Sequence, residues 1–395
     1  MKRTLAAAAI LWGAAFPSLA ETIRETEKMG QLVSTQPIGP AALPREAVTA
    51  EATLIEAAIN GQSFKLDALI VAPREAQPGD QRPGIVISHG NPRRLSFQRQ
   101  LRLHRYSHLA EEFARRGFIA LVIARRGFAR SDGHYSERYA RSCETATGAG
   151  YTRAGFMGAK DYAAALEVLA DDPRVDPESL LTLGVSGGGF ASLALASDPP
   201  KGLRGVINFS GGRGSGSDHM NCNEDGLAEA FAAYGMSFAA PSLWLYSETD
   251  RFFWPEMVYR HFETFKGPAR LHMYGPILHA EDGHRLFQRG NTSLWRPAID
   301  AFLQDIGIAT WPEPPADPGP LDLPPPDGMD ARGLQAWVEF QGSELSRAFA
   351  TGPNGRFGWG SGYPTGEAAA KVALQVCAGE ENHPCALYMI DEARQ

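Results

Sequence analysis

The chain has 395 residues, of which 44% are hydrophobic and 21% are charged. This composition is globular and leaves room for one large core and a second, small unit. The formal net charge of −7 argues against a nucleic-acid-binding protein, and no apolar run after the first 20 residues is long enough to span a bilayer. We therefore expect neither a nucleic-acid partner nor a membrane span.

The start of the chain has the pattern of a secretory signal peptide. Lys2 and Arg3 precede an apolar run over residues 5–16, and Ser18 and Ala20 supply small residues at the −3 and −1 positions of a cleavage site. An uncleaved anchor is the alternative, but the apolar run is short for one. We predict cleavage near Ala20 and export to the periplasm or the medium.

After a proline-containing, extended lead-in, strands and helices alternate. A hairpin is predicted where Asn60-Gly61 separates the first two apolar runs. The predicted strands are 53–59, 64–72, 85–88, 118–124, 180–185, 205–209, 242–246 and 270–274, and the predicted helices are 107–116, 155–170, 256–265 and 295–305. This alternation predicts an α/β fold with a mostly parallel sheet covered by helices on both faces. Ligands of such sheets bind at the carboxyl ends of the strands.

The chain changes character at Thr310. Residues 311–328 contain eight prolines and few apolar residues, which is typical of a stiff linker. A small α+β module with two helices, a hairpin turning at residues 352–355 and a last strand is predicted after it. The predicted segments are a signal peptide (1–20), a lead-in (21–50), the main domain (51–309), the linker (310–328) and the C-terminal module (329–395). The module has no catalytic constellation, and packing on the main domain is the role that we expect of it.

A nucleophile motif lies between the fifth strand and the helix that follows. Residues 184–188 read Gly-Val-Ser-Gly-Gly, which is G-x-S-x-G in a strand–turn–helix context. Gly184 and Gly188 let the strand and the helix approach, and Ser186 takes the strained corner. The alternative is a glycine-rich turn with an incidental serine.

Other motifs follow neighbouring strands in a recognisable order. They are His89-Gly90 after the third strand, residues 126–133 after the fourth, the Ser186 turn, and Asp250 and His284 downstream. Over residues 50–307 the chain resembles the alpha/beta hydrolase superfamily, which implies that fold. The runs 243–253 and 281–287 are similar to secreted proteins of the dienelactone hydrolase-like branch. Dienelactone hydrolases use a cysteine nucleophile where this chain has Ser186, so the resemblance does not extend to their namesake reaction.

A serine hydroxyl needs a positioned base, and an imidazole base needs a carboxylate that fixes its tautomer. In the hydrolase order of serine, acid and histidine, Asp250 is the predicted acid and His284 the predicted base. Glu248 is the alternative acid and His279 the alternative base. His272 lies inside a predicted strand and is expected to be a packing residue.

Acyl transfer also needs two donors for the tetrahedral oxyanion. The N–H of Gly187 follows from the turn geometry, and the N–H of Asn91 is the predicted second donor. His89 is expected to brace the Asn91 loop rather than to act as a base.

In an exported protein the four cysteines are disulfide candidates. Cys377 and Cys385 are close in sequence, and Cys143 and Cys222 form the remaining pair. A metal site is the weaker alternative because no C-x-x-C or histidine-rich spacing accompanies them. We predict two disulfides, no metal and no cofactor.

The segment after Asn91 carries five arginines and no acidic residue up to position 105. The planar guanidinium group of arginine pairs well with carboxylates, and a cluster of positive charges beside a cleft attracts anions. Arg93 and Arg94 are therefore candidates for holding an anionic part of the substrate. The alternative is a solvated basic loop.

Together these features predict an exported serine hydrolase that cleaves an ester or lactone of a small molecule. A peptidase or amidase of the same fold, and a non-catalytic binding protein that kept the fold, are the alternatives. The sequence does not indicate an oligomeric state.

Overall fold

The computed structural model describes residues 47–92, 94–237, 240–308, 324–391 and 393–395. The predicted signal peptide, almost all of the lead-in, Arg93 and the linker as far as residue 323 lie outside these ranges.

The main domain is built on an eight-stranded sheet with the order β1-β2-β4-β3-β5-β6-β9-β10. The β1–β2 and β2–β4 pairs are antiparallel and the other pairs are parallel. The strands are β1 (Val48–Ile59), β2 (Gln62–Pro73), β3 (Arg82–Ser88), β4 (Ile119–Ile123), β5 (Val175–Val185), β6 (Leu203–Phe209), β9 (Ser242–Ser247) and β10 (Ala269–Tyr274). This is the topology of an alpha/beta hydrolase and confirms the fold prediction.

Helices cover both faces of the sheet. The helices of the main domain are α1 (Ser107–Ala114), α2 (Gly148–Ala170), α3 (Gly187–Ala196), α4 (Glu224–Gly235), α5 (Pro255–Thr264) and α6 (Thr292–Asp305). Helices α1 and α6 pack on one face, and α2 to α5 pack on the other. Along β4, Ile119, Leu121 and Ile123 face the second layer while Ala120 and Val122 face the first. The strand is apolar throughout because both of its sides are buried.

Two predictions about the main domain need correction. The lead-in ends earlier than predicted, because β1 starts at Val48, where Thr49 pairs with Ala72. The second prediction concerns the polar, glycine-rich segment 210–226, whose composition predicts a loop; it is not only a loop. It contains the hairpin β7 (Ser215–Ser217) and β8 (Met220–Asn221) and the start of α4, whose N-terminal Gly226 N–H is capped by the Asn223 side chain at 2.8 Å.

The C-terminal module is an antiparallel sheet with two helices. Its elements are α7 (Ala331–Gln341), β11 (Ala348–Thr351), β12 (Phe357–Gly360), α8 (Gly366–Ala378), β13 (Ala386–Ile390) and β14 (Ala393–Arg394). The sequence predicts the first helix of this module over residues 334–345. Helix α7 instead ends at Gln341, because the buried Arg347 guanidinium binds the carbonyls of Phe340, Gln341 and Ser343. The Cys377–Cys385 disulfide, with a Cα–Cα distance of 6.2 Å, is present as predicted.

In the part of the chain that the structure describes, no helix combines the length and apolarity that crossing a membrane requires.

Candidate active site

Ser186 occupies the sharp turn between β5 and α3. Its backbone has φ 54° and ψ −119°, a left-handed conformation that costs a non-glycine residue of order 1–3 kcal/mol. The Ser186 N–H donates to the Phe209 carbonyl at 2.8 Å and holds the turn on β6. A Cβ on Gly184 would clash with the backbone of Gly188, and one on Gly90 would lie 2.9 Å from Ser186 Cβ. The glycines are therefore required by close backbone approach.

Asp250 and His284 lie together beyond the ends of β9 and β10. His284 Nδ1 is 3.0 Å from Asp250 Oδ2 and 3.2 Å from Oδ1. Oδ1 also accepts the N–H groups of Phe252 and Phe253 at 2.8 and 3.0 Å, so this buried carboxylate is fixed. Because a carboxylate only accepts, Nδ1 carries the proton and the basic lone pair is on Nε2.

The competing residues lie elsewhere. The Glu248 side chain is exposed, and its N–H donates to the Tyr274 carbonyl at 2.7 Å. His279 packs against Gly342 and Gly290 rather than on Asp250. His272 is half-buried in β10 and stacks on Tyr274 with a ring distance of 6.2 Å.

Asn91 and Gly187 are neighbours at the start of α3. A Cβ on Gly187 would clash with Asn91 Oδ1, so the loop after β3 touches the first residue of α3. The Asn91 side chain is held from two directions. Its Oδ1 accepts from Arg125 Nη2 at 2.9 Å, and its Nδ2 donates to the Tyr135 hydroxyl at 2.8 Å. The main-chain segment that carries the predicted oxyanion donor is thus fixed through its side chain.

Behind Asn91 lies a buried ion network that the sequence analysis missed. Glu137 accepts a bidentate pair from Arg125, at 2.5 and 3.3 Å, and a further bond from Arg213. Burial alone would raise the pKa of Glu137, but the charges of Arg125 and Arg213 hold it at about 2. Arg213 also donates to the Tyr135 hydroxyl at 3.1 Å. Two guanidinium groups thus share one carboxylate beside the site.

No local motif signals this network. Arg125 lies just before the motif of residues 126–133 and is not part of it. Glu137 and Arg213 lie in segments that show no hydrophobic periodicity. Arg213 lies 76 residues after Glu137 and meets it only once the sheet has formed.

Both ring nitrogens of His89, in the loop region that precedes Asn91, are hydrogen-bonded. Its Nε2 accepts the Arg125 backbone N–H at 3.1 Å, so Nδ1 carries the proton and donates to the Gly90 carbonyl at 2.8 Å. Burial and the charge of Arg125 hold the pKa of His89 well below its usual value. A neutral imidazole with both ring nitrogens hydrogen-bonded therefore supports the loop that leads to Asn91.

The arginines after Asn91 divide into two groups. Arg99 donates to the carbonyls of Ala129, Ser131 and Gly133 in the loop after β4. Arg102 donates to Ser361 O and the Tyr363 hydroxyl of the C-terminal module, and Gly362 packs against Arg105. Arg94 is exposed, and Arg93 lies outside the described residues. Three of the five arginines therefore have structural contacts.

The Cys143–Cys222 disulfide is also present as predicted, with a Cα–Cα distance of 4.8 Å. It joins the turn before α2 to the end of the β7–β8 hairpin. His219 in that hairpin donates its N–H to the Arg251 carbonyl at 2.7 Å, next to Asp250. Within the described ranges, no group of three or more His, Cys, Asp or Glu side chains is arranged to hold a metal ion.

Comparisons with known proteins relate most of the main domain to hydrolases. Residues 61–250 match the family described as X-Pro dipeptidyl-peptidase (S15 family). No curated protein matches the chain.

Solved structures include several similar chains. A protein described as a dienelactone hydrolase of Klebsiella pneumoniae is 15% identical, with a TM-score of 0.43, over 65% of this chain and 99% of that chain. An esterase of Pyrococcus furiosus is 15% identical, with a TM-score of 0.45, over 70% of this chain and 97% of that chain. Dipeptidyl peptidase 4 of Porphyromonas gingivalis is 15% identical, with a TM-score of 0.46, over 64% of this chain and 35% of that chain.

The sheet order, the strained serine turn between β5 and α3, and the family match over residues 61–250 lead to one assignment. The main domain has the alpha/beta hydrolase fold.

Proposed function

We propose that this protein is a serine hydrolase that cleaves an ester or lactone through an acyl-enzyme, with Ser186 as nucleophile, His284 as base and Asp250 as the acid that orients the base. The observation that carries the proposal is the His284 Nδ1–Asp250 contact at 3.0 Å, combined with the strained Ser186 turn. That contact leaves Nε2 as the proton acceptor that a serine nucleophile needs.

In the proposed reaction, Ser186 Oγ attacks the substrate carbonyl carbon while its proton moves to His284 Nε2. The negative charge that develops on the carbonyl oxygen accepts hydrogen bonds from the N–H groups of Gly187 and Asn91. The alkoxide leaves with the proton from His284, and a water molecule then repeats the sequence to release the acid. The buried, neutral His89 and the side-chain contacts of Asn91 support this donor geometry.

A peptidase is the second candidate, because residues 61–250 match the X-Pro dipeptidyl-peptidase family. The same catalytic groups serve amide hydrolysis, with the leaving amine taking the proton from His284. The two candidates differ in the substrate rather than in the catalytic groups.

Two measurements test the proposal. A fluorophosphonate probe should label the wild type at Ser186 and should fail to label Ser186→Ala. Initial rates should then be compared on p-nitrophenyl esters of increasing acyl length and on Ala-Pro-p-nitroanilide. Faster turnover of the esters supports the esterase, and faster turnover of the anilide supports the peptidase. If the probe does not label the protein and no substrate is hydrolysed, the non-catalytic binding protein is the remaining alternative.

Arg93 and Arg94 are the proposed contacts for an anionic substrate group, supported by the exposure of Arg94 close to Asn91. Replacing both by alanine should raise KM for an ester with a carboxylate several-fold more than for its neutral analogue. Arg99→Ala is unsuitable as a control because Arg99 holds the loop after β4. Arg204→Ala is the better control, because Arg204 lies at the opposite end of the parallel strands. Equal effects on the two substrates would contradict the assignment.

Export with cleavage near Ala20 is also proposed. The two disulfides support it, since such bonds persist in oxidising compartments. N-terminal sequencing of the protein from the periplasm or the medium tests it, and a mature chain that begins at Glu21 is the expected result.

A further inference from the structure

The loop that carries His284 has little regular structure of its own. Residues 275–291, here called the base loop, connect β10 to α6 and contain only two short 3-10 turns. On one side the loop is fixed to the segment that carries Asp250. Gly283 N–H donates to Thr249 O at 3.0 Å, and Asp282 Oδ1 accepts the Arg251 N–H at 3.2 Å.

The C-terminal module holds the other side of this loop. Arg285, next to His284, donates to Glu339 Oε2 of α7 at 2.7 Å. Gly290 N–H donates to the Gly342 carbonyl at 2.9 Å. His279, which has a left-handed φ of 60°, lies with its side chain directly against Gly342. All three module contacts come from residues 339–342, at the end of α7.

Glu344, two residues after this stretch, reaches the base loop indirectly, through His108 of α1. His108 Nε2 donates to the Phe287 carbonyl at 2.6 Å, and its Nδ1 lies 3.8 Å from Glu344 Oε1. Glu344 is 1% exposed and His108 is 4% exposed. Phe287 in turn stacks on Tyr106 at 5.7 Å. Residues 339–344, here called the α7 end, therefore contact both the base loop and one of its anchors.

We propose that the C-terminal module positions the catalytic base, with the α7 end acting as a clamp on the base loop. This inference rests on the proposed role of His284. An irregular loop has conformational freedom that must be removed before a side chain on it is held within about 0.5 Å of a working geometry. Arg285 and Gly290 are bound on either side of Phe287, so the clamp spans the segment immediately after the base. Glu339, Gly342 and Glu344 are positioning residues.

Gly342→Ala is the sharpest test. The new Cβ would clash with His279 Cβ and lie 2.9 Å from its Cγ, so the base loop must shift. We expect kcat to fall about tenfold or more while KM stays within about twofold, because a displacement of about 1 Å at a catalytic group costs up to about 100-fold. Gly333→Ala at the start of α7 is the matched control, since its Cβ would approach the Met329 side chain at 3.1 and 3.3 Å and Asp330 Oδ1 at 3.4 Å without a severe clash. Equal kcat values in the two variants would overturn the proposal.

A charge exchange separates positioning from general stability. Glu339→Arg alone places two cations together and should lower kcat. The double variant Glu339→Arg with Arg285→Glu restores an ion pair of reversed sign and should recover most of the lost kcat. Without that recovery, the Arg285–Glu339 contact has no positioning role.

Hydrogen exchange of the full chain tests the clamp without requiring activity. Gly342→Ala should accelerate amide exchange in the base loop and leave α3 unchanged, whereas Gly333→Ala should change neither. If the wild type hydrolyses no substrate, the proposed function fails but the clamp is still measured. If the wild type is active and base-loop exchange in Gly342→Ala equals that of the wild type, the clamp fails while the proposed function stands.

Discussion

The two sides of the candidate active site are built in different ways. Ser186 and the proposed oxyanion donors lie at the ends of β3 and β5, and a buried network of Arg125, Glu137 and Arg213 fixes the Asn91 side chain from behind. The proposed base, His284, lies on a long irregular loop, which is held by the Asp250 segment on one side and by the C-terminal module on the other.

The difference shows two physical solutions to the same requirement. On the oxyanion side, charges are buried at a desolvation cost and compensated by near-complete hydrogen bonding, which gives rigidity. On the base side, much of the order comes from contacts with the C-terminal module, which follows the hydrolase domain in the chain. Substitutions within the buried network on the oxyanion side should therefore lower stability. Those on the base side should change rate with less effect on stability.

The largest expected effect is on the base side. Asp250→Asn removes the charge that fixes the His284 tautomer, and kcat should fall by about 10⁴-fold. Thermal unfolding should shift little, because the asparagine oxygen still accepts the N–H groups of Phe252 and Phe253. Glu248→Gln is the control and should retain activity close to that of the wild type. A larger loss in Glu248→Gln would reassign the acid.

Glu137→Gln should have its main effect on stability. It leaves two buried guanidinium groups without their counter-charge, which should cost about 3–5 kcal/mol of unfolding free energy. Since the pKa of Glu137 is held at about 2, its contribution is fully present above pH ~4.5 and is lost as the pH falls towards 2. Denaturant unfolding at pH 7 and pH 3 checks this, and the variant should differ less from the wild type at pH 3.

Asn91→Ala isolates the positioning of the oxyanion donor. The backbone N–H remains, but the contacts to Arg125 and Tyr135 are removed. We expect kcat to fall by up to about 100-fold with KM nearly unchanged. A rate equal to that of the wild type would show that the side chain does not position the donor.

His261, which belongs to neither side of the candidate active site, gives a reference for the effect of acid on stability. It is buried, stacks on Phe231 at 4.6 Å, and neither ring nitrogen has a hydrogen-bond partner among the described residues. Burial lowers the pKa of His261 to about 3. The unfolding free energy is therefore not reduced by this histidine above pH ~6.5, and it declines as the pH falls towards 3 because the unfolded chain takes up the proton first. At pH 4 that loss is ~3 kcal/mol, since one pKa unit corresponds to about 1.4 kcal/mol. His261→Phe should gain stability relative to the wild type between pH 7.5 and pH 4, and an unchanged difference would contradict this.

The sequence predicted features with local signals. Apolar runs predicted the sheet, Asn60-Gly61 predicted the hairpin between β1 and β2, and the glycines around Ser186 predicted the strained turn. Both disulfides were also predicted, because export, itself a prediction, makes the four cysteines disulfide candidates and sequence proximity favours one of the pairs. Such features depend on spacing of a few residues and are readable without the fold.

Features that depend on long-range contact were missed. Glu137 and Arg213 are joined only in the folded state, and neither belongs to a motif. The α7 end was predicted to be part of a longer helix with no role beyond packing. Its contacts with the base loop were missed because the partners lie more than fifty positions earlier in the chain, as Arg285 does for Glu339. The role of a residue in such contacts follows from topology, which periodicity does not encode.

The most direct test of the central claim is mass spectrometry of the full-length protein after reaction with a fluorophosphonate. A single adduct on the peptide that contains Ser186, absent in Ser186→Ala and strongly slowed in His284→Gln, is the predicted result. An adduct on another serine, or labelling of Ser186 that is equally fast without His284, would contradict the proposed nucleophile and base.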